Sequence, residues 1–359
     1  MMAQKAIFPI LIVFLLAGSV LAEKYSGGTG EPNNPYRIAT PNDLNDIGNH
    51  IEDYNKCFVM VNDINLAAYA GDHFNIIGDF SHPFTGVFDG NGHAISNFTY
   101  SGNATYVGLF AFVGPNWFGE EPLIENLILI DPNVNAQSSD SAGGLVCSLT
   151  DAIIRGCGIQ GGRVSGNCNT GGLVGQNGGR IEKCRSTAVV CGGCNVGGLV
   201  GLNNVFKGTA LISDCYSGGS VSGPANFIGG LVGYNGNTIE HSYSRGQVAI
   251  GTNAGGLVGG VAEFRLHVKC FWDSEVNPDV NGIGNGSDPN VIGKTTVEMR
   301  MESTFTDAGW DFVEVWDIGE NQTYPYLRVY PAGDLNHDGR VNFFDVAILA
   351  DDWLAGTNN

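Results

Sequence analysis

The sequence predicts an all-β protein folded as a right-handed parallel β-helix, a coil of short strands. The first observation is a GGLV tetrapeptide that opens five times, at Gly143, Gly171, Gly197, Gly229 and Gly255. The second is that short β-type runs, broken by Gly and Asn turns, fill the intervals of 26 to 32 residues. A period this short is typical of a solenoid, whose coils bury one another's apolar faces at a strand spacing of about 4.8 Å. The right hand is the one that parallel connections favour.

The third observation is that other residues return at fixed offsets from GGLV. An isoleucine follows the first glycine by ten residues in three units, and a valine returns near the end of each unit: Ile153, Ile181 and Ile239; Val164, Val190, Val221 and Val248. In the 32-residue unit the matching isoleucine is Ile212, which comes five residues late. We therefore predict an insertion near residues 205–211 that loops out of the repeating frame.

Asparagine and cysteine also recur by position. Asn177, Asn203 and Asn235 occupy one column, which predicts stacked amides hydrogen-bonded along the solenoid, with ligand binding as the alternative. Cys168 and Cys194 share another column, so a bridge between adjacent coils is one pairing and Cys191–Cys194 is its competitor. A further set shares a third column or lies close to it and indicates either disulfides or a ladder of buried free thiols: Cys157, Cys184 and Cys215.

The GGLVGxN units, with these repeated offsets, resemble the GLUG repeat of bacterial surface and secreted proteins. The resemblance covers roughly a third of the chain. It implies a β-solenoid of pectin-lyase-like architecture in which the repeat is not itself an active site.

The N-terminus is typical of a signal peptide. Lys5 precedes an apolar stretch at residues 6–16, and small residues at 20–22 suit cleavage. No later apolar run reaches about 20 residues, so no membrane span is expected after cleavage. We expect a secreted or extracellular protein associated with the cell surface; an uncleaved anchor is the alternative.

The patterns divide the chain into five parts. Residues 1–22 are the signal peptide, and residues 23–104 form an N-terminal cap with the first coils. The cap includes a short amphipathic helix near residues 43–54. Residues 105–275 are the GLUG-type coils, residues 276–332 an aromatic C-terminal cap, and residues 333–359 a calcium loop with a helix. The aromatic segment is predicted to close the end of the solenoid, and an aromatic sugar-binding face is the alternative.

Charge narrows the choice of partners. With 17 basic and 36 acidic residues, the net charge is −19. Nucleic acid and anionic membrane surfaces are therefore not expected as partners, whereas cations are.

Catalytic residues are not evident. Glycoside hydrolysis needs two carboxylates about 5–10 Å apart. The best candidates are Asp79, Asp89 and His93, in a stretch rich in Asp and His, but FDGNGH is also typical of a tight turn. The chain contains neither HExxH nor GxSxG. If the protein is an enzyme, we expect a polysaccharide hydrolase or lyase.

The sequence GDLNHDGRVNFFD near the C-terminus matches a calcium loop close to the EF-hand pattern. Calcium prefers six or more hard oxygen ligands, and alternate positions of a tight loop supply them. The predicted ligands are the side chains of Asp334, Asn336 and Asp338, the carbonyl of Arg340, Asn342 directly or through water, and Asp345. Gly339 makes the turn.

An apolar helix face follows the loop, and together they resemble half of a type I dockerin, a docking module of cell surfaces and cellulosomes. The resemblance implies Ca²⁺ as cofactor and a cohesin-like or cell-surface scaffold protein as partner. The chain departs from that family in having one loop instead of two, and Phe343 and Phe344 where small hydroxyl residues help to select the cohesin.

The sequence therefore predicts an exported structural or adhesive β-solenoid, displayed or docked at the cell surface through this calcium-dependent C-terminus. The alternative is a polysaccharide-active enzyme or a carbohydrate-binding protein on a β-helix.

Overall fold

Parallel strands in three long sheets make up almost all of the regular structure. The computed structural model describes residues 24–115, 121–204, 210–224, 226–263 and 265–328. Each sheet follows one side of a solenoid of about eight turns, because each strand pairs with its counterpart in the next coil. The predicted parallel β-helix is confirmed.

The first sheet has 19 strands, up to three from each coil. They are Tyr36–Ile38, Cys57–Met60, Val87–Asp89, Tyr106–Val107, Phe110–Val113, Leu123–Glu125, Ser141–Gly143, Val146–Arg155, Thr170–Gly171, Val174–Glu182, Asn195–Gly197, Val200–Asn203, Leu211–Ser213, Phe227–Gly229, Val232–Asn235, Thr238–Glu240, Ala254–Val261, Leu266–Val268 and Asn281–Ile283.

The second sheet has nine strands and the third has five. The second contains Ile64–Asn65, Ala94–Ser96, Ile128–Ile130, Gly158–Gln160, Arg185–Ser186, Tyr216–Ser217, Tyr243–Ser244, Cys270–Asp273 and Val291–Lys294. The third contains Thr99–Tyr100, Asn133–Ala136, Arg163–Gly166, Val189–Cys191 and Val221–Ser222. Trp316–Asp317 and Tyr326–Leu327 form a separate antiparallel pair.

Strand register confirms most of the predicted columns. Each GGLV glycine from Gly143 to Gly255 pairs with the next. The asparagine and valine columns also pair in register. Asn177 pairs with Asn203 and Ile181 with Ile212. The five extra residues therefore lie between Asn203 and Leu211, as predicted; residues 205–209 are outside the described part.

The isoleucine assigned to the first repeat was wrong by one residue. Ile154, not Ile153, pairs with Ile181 and is fully buried. The strand Val146–Arg155 contains a bulge between Thr150 and Ile153, which adds one residue to this coil. Asp151 lies in that bulge with φ 43°, a left-handed conformation that a count of residues does not reveal.

Sterics explain why the repeat opens with two glycines. A side chain on Gly171 would overlap the carbonyl of Val174, three residues ahead in the same coil. A side chain on Gly172 would overlap the carbonyl of Gly198 in the next coil. The same overlap recurs around Gly197 and Gly198. Any Cβ at these positions would force adjacent coils apart.

The leucines of GGLV form the centre of the core. Leu145, Leu173, Leu199, Leu231 and Leu257 are all fully buried. They belong to one continuous apolar cluster that runs from Ile38 to Ile283. Because each coil buries its apolar side mainly against its neighbours, stability is shared along the axis.

The predicted N-terminal helix is present but shorter than expected. It spans Pro41–Ile47 and a 3₁₀ turn follows at Ile51–Asp53. Thr40 caps the helix, and the Asp43 carboxylate accepts a hydrogen bond from the Thr40 amide in return. The helix follows the edge strand Tyr36–Ile38 and adds Leu44 and Ile47 to the core.

The aromatic C-terminal segment packs along the flank of the second sheet, which differs from the predicted end closure. Its rings form a second apolar cluster with Tyr216, Tyr243 and Phe271, which pair in one column. The indole nitrogen of Trp316 donates to the Asp214 carboxylate, and that of Trp310 donates to the Lys269 carbonyl. The segment thus spans three successive coils. It contains a 3₁₀ turn at Glu298–Arg300 and a short α-helix at Glu302–Thr306.

Burial of these rings argues against an aromatic sugar-binding face. Trp316 is fully buried and Trp310 is 4% exposed. The Tyr324 ring lies between two guanidinium groups, 4.9 Å from Arg245 and 5.3 Å from Arg300. Within the described ranges, no helix is long and apolar enough to cross a membrane. The predicted signal peptide at residues 1–22 and calcium loop at residues 333–359 lie outside those ranges.

We expect Leu199→Asp to destabilise the solenoid on both sides of its coil, because it buries an unpaired charge among stacked leucines. The cost should be several kcal/mol, with a clear drop in the thermal unfolding midpoint. The matched control is Leu202→Asp, three residues further along the same coil in the strand Val200–Asn203, whose side chain points outward and is half-buried. Equal melting temperatures for the two variants would contradict the core position of Leu199.

Candidate functional site

The loop candidate Asp79 has a structural role. One carboxylate oxygen accepts hydrogen bonds from the backbone amides of Ser81 and His82, at 2.7 and 2.8 Å. The other lies 3.4 Å from Nδ1 of His82. These contacts hold an exposed turn, and among the described residues no second carboxylate is hydrogen-bonded to this pair.

Asp89 and His93 belong to the tight turn that the sequence also suggested, and the structure does not pair them. Asp89 accepts from the backbone amide of Asn91 at 2.7 Å and from the side chain of Asn126 at 3.1 Å. His93 Nδ1 lies 3.1 Å from Asp63 Oδ1, which also accepts from the Ala94 amide. In the part of the chain that is described, none of the three candidates belongs to a cluster of ligand atoms.

One compact group of metal-ligating side chains does occur, at His50, Glu52 and Asp53. One lysine pairs with both of its carboxylates. Lys24 Nζ lies 2.6 Å from Asp53 Oδ2 and 3.1 Å from Glu52 Oε1, and Tyr25 donates to Asp53 at 2.8 Å. The carboxylates are therefore an ion-paired link between the N-terminal segment and the 3₁₀ turn.

Five of the nine cysteines belong to a disulfide or to a ladder of stacked thiols. Cys168 and Cys194 form a disulfide, with their Cα atoms 4.6 Å apart, which matches the pairing proposed between adjacent coils. Cys157, Cys184 and Cys215 form the predicted ladder of free buried thiols, in which a backbone amide of one coil donates to the sulfur of the next at 3.4 Å. Burial raises the pKa of the Cys157 and Cys215 thiols, so they stay neutral and unreactive.

The residues just before the thiol column share a backbone conformation and no common chemistry. All have positive φ, between 43° and 62°: Asn126, Gly156, Lys183, Asp214, His241 and Lys269. The column is a repeated left-handed turn between the first and second sheets. This explains why charged side chains recur there without forming a reactive set.

The asparagine column is a buried hydrogen-bond chain with a defined direction. Asn177 Nδ2 donates to Asn203 Oδ1 at 2.8 Å, and Asn203 Nδ2 donates to Asn235 Oδ1 at 2.7 Å. All three are fully buried. The chain continues to His267, whose Nε2 lies 3.1 Å from Asn235 Nδ2.

His267 ends this chain as a neutral acceptor. Since Asn235 Nδ2 can only donate, Nε2 of His267 has no proton, and Nδ1 donates to Asp288 Oδ2 at 3.0 Å. Burial lowers the pKa of His267, with the nearby Arg265 acting in the same direction, while Asp288 partly opposes the shift. Sequence reasoning missed this pair; the signal was that the isoleucine column ends in a histidine, since Ile239 pairs with His267.

The outer face of the third sheet forms a groove of about 420 Å³. Its lining is polar and contains no carboxylate: Gly71, Thr99, Tyr100, Ser101, Asn133, Asn135, Gln137, Arg163 and Ser165. Sequence reasoning missed this groove, because its residues come from three coils in which side-chain chemistry does not repeat. A second groove of about 290 Å³ at the other end of the sheet is lined largely by small and apolar residues, and its Asn277 is already bonded to backbone.

Comparison with known proteins supports the repeat and the fold. The family model of the GLUG motif matches residues 166–190. A "Putative Gly-rich membrane protein" of Evansella cellulosilytica is 30% identical across 92% of this chain, and "Halomucin" of Haloquadratum walsbyi is 29% identical across 85%. The chain is therefore similar to these proteins and is a β-solenoid with the GLUG motif.

The chain spans about half the length of the first relative, 49%, and 3% of the second. A crystal structure described as a putative immunoglobulin A1 protease from Bacteroides ovatus superposes with a TM-score of 0.64. The match covers 85% of this chain and 95% of that one, at 21% identity. At that identity the likeness extends to the fold alone.

We expect the free energy of unfolding to fall on acidification because burial disfavours protonation of His267 in the folded chain. Its folded pKa lies below the unfolded value of about 6.5, so the unfolded chain binds the proton first. Stability is therefore fully present above about pH 6.5 and declines below it, by at most about 1.4 kcal/mol per pH unit from this group. Asp288, with its own lowered pKa, adds a further loss only below about pH 4.

Urea unfolding between pH 7.5 and pH 5 measures this effect. His267→Gln keeps an acceptor for Asn235 but cannot titrate, so its stability should depend less on pH than that of the parent chain. His73→Gln, at an exposed histidine, is the control and should leave the slope unchanged. Identical slopes for the parent chain and His267→Gln would contradict the assignment.

Proposed function

We propose that this protein is an exported structural and adhesive β-solenoid, held at the cell surface through its C-terminal calcium loop. The observation that carries the proposal is the chemistry of the repeated columns. Leucine, valine, isoleucine, glycine and asparagine recur from coil to coil, and each serves packing or backbone pairing. A long solenoid whose outward side chains can differ from coil to coil suits display at the cell surface and adhesion to other molecules.

The comparisons support a location at the cell surface without identifying how the protein is attached there. One relative is named as a membrane protein, and the GLUG repeat lies in the middle of this chain. The acidic balance of 36 acidic to 17 basic residues disfavours attachment through anionic membrane surfaces. A calcium-dependent contact with a scaffold protein of the cell surface fits this charge better.

An enzymatic role has less support. Asp79, Asp89 and His93 each hold a local turn or an exposed link. Proteolysis, the activity for which the structural neighbour is named, needs an activated nucleophile or a metal-bound water. The sequence lacks HExxH and GxSxG, and the two ladder thiols discussed above have raised pKa values. A polysaccharide hydrolase or lyase remains the alternative, which screening for turnover of pectins, alginates and glucans would test.

We expect the full chain to bind one Ca²⁺ in the loop of residues 334–345. Asp334, Asp338 and Asp345 would repel one another without a cation, so binding should be coupled to ordering of the loop. Asp345 replaces the usual bidentate Glu and the loop is single, so we expect a dissociation constant of about 10⁻⁴–10⁻³ M and poor competition by Mg²⁺.

Calorimetric titration of the full chain tests this. The double variant Asp334→Ala with Asp345→Ala should remove the calcium heat, and Asp79→Ala with Asp89→Ala is a control with the same charge change. No heat in the parent chain up to several millimolar Ca²⁺, or equal heat in the double variant, would refute the site.

Attachment is tested by cell fractionation. In cells that produce the protein, we expect it to be accessible to added protease at the surface and to be released by a calcium chelator. The Asp334→Ala and Asp345→Ala variant should appear in the medium without chelator. Recovery of the parent protein from the cytosol would contradict export, and retention of the double variant would contradict calcium-dependent attachment.

A further inference from the structure

We propose that the groove on the third sheet binds a linear acidic oligosaccharide, with Asn133, Asn135, Gln137 and Arg163 as its recognition residues. The proposal gives a ligand class to the adhesive role proposed above and rests on that role. It does not depend on the calcium loop or on where the protein is attached.

Strand alternation creates the row of amides. In the strand Asn133–Ala136, Val134 and Ala136 are fully buried in the core, so Asn133 and Asn135 must point outward. Gln137 is also exposed, in the turn that directly follows this strand. Two amide side chains thus point outward from one strand, and a third lies just beyond its end.

These amides have no partners within the described chain, apart from solvent. None of the three makes a hydrogen bond or an ion pair through its side chain there. This contrasts with the buried asparagines of the ladder, whose amides are bonded along the column. An amide offers a donor and an acceptor side by side, which matches the vicinal hydroxyl groups of a sugar.

Arg163 adds a positive charge and has a defined orientation. It pairs with Asn133 in the neighbouring coil, so it lies beside the row of amides. Its Nε donates to Ser165 Oγ at 2.9 Å, and its two terminal nitrogens have no hydrogen-bond partner among the described residues.

The charge of the groove favours an anionic ligand. Acidic residues outnumber basic ones by two to one in this chain, yet none lines the groove. A planar guanidinium with two free nitrogens can bind a carboxylate through two parallel hydrogen bonds. A uronic acid combines that carboxylate with hydroxyl groups for the neighbouring amides.

The dimensions suit several sugar units. The volume of about 420 Å³ is within the usual range for small-molecule sites. Strands in the sheet are about 4.8 Å apart, so a sugar chain laid along the solenoid axis would cross several successive coils. Thr99, Asn133 and Arg163 form one such row, and Val189 ends its polar part.

The test uses the full chain and a mannuronate tetrasaccharide, with binding measured by calorimetry at low salt. We expect Arg163→Gln to weaken binding about 10- to 100-fold, as is typical for loss of a charged hydrogen bond. Asn133→Ala combined with Asn135→Ala should also weaken it, and the methyl ester of the tetrasaccharide should bind the parent chain poorly. Arg37→Gln removes the same charge from an exposed site on the first sheet and is the matched control.

Thermal unfolding of each variant checks that the outward substitutions leave the fold intact. Absence of binding by the parent chain at millimolar tetrasaccharide would overturn the proposal. Equal weakening by Arg37→Gln and Arg163→Gln would reduce the effect to net charge and also overturn it. Equally tight binding of a tetraglutamate peptide would assign the groove to anions in general and reject the sugar. Each outcome is independent of calcium binding and cell-surface location.

Discussion

In-register stacking of successive coils is the constraint on which the rest of this structure depends. Each inward side chain meets the same position of the coils before and after it, as the unbroken pairing of the GGLV glycines shows. A single coil cannot bury its own leucine, so its stability comes from its neighbours. The glycine pair follows from the same constraint, because two backbones approach too closely there for any Cβ.

Stacking also allows a polar group to be buried if the group repeats. Each ladder asparagine donates to the next one, so every buried amide except the last has its partner by symmetry. The last amide group, on Asn235, needs an acceptor that the repeat no longer provides. His267 supplies this acceptor. Asp288 fixes the required tautomer by accepting a hydrogen bond from Nδ1, the ring nitrogen that carries the proton. The end of a repeat thus creates a titratable pair for a structural reason.

How far the sequence predicted the molecule depended on whether a feature repeats. The fold, most of the columns and the place of the insertion could be read from spacing, whereas spacing left Cys168–Cys194 as one of two possible pairings. Ile153 was misassigned because a one-residue bulge changes the spacing without changing the composition. The flank position of the aromatic segment had a signal in the outward column of Tyr216, Tyr243 and Phe271, but it needed the stacking order to be recognised. Asp89 and His93 were candidates for catalytic residues because tight turns and active sites use the same residue types.

The same constraint places recognition on the outside of the rod. Inward positions are fixed by their neighbours, whereas outward positions are free to differ from coil to coil. The flank of the second sheet is partly covered by the aromatic segment, whose indoles reach Asp214 and Lys269. Within the described residues, no comparable segment covers Asn133, Asn135 and Arg163 on the third sheet, and all three are exposed. These outward side chains contribute little to packing, so they are available for the acidic oligosaccharide proposed for this groove.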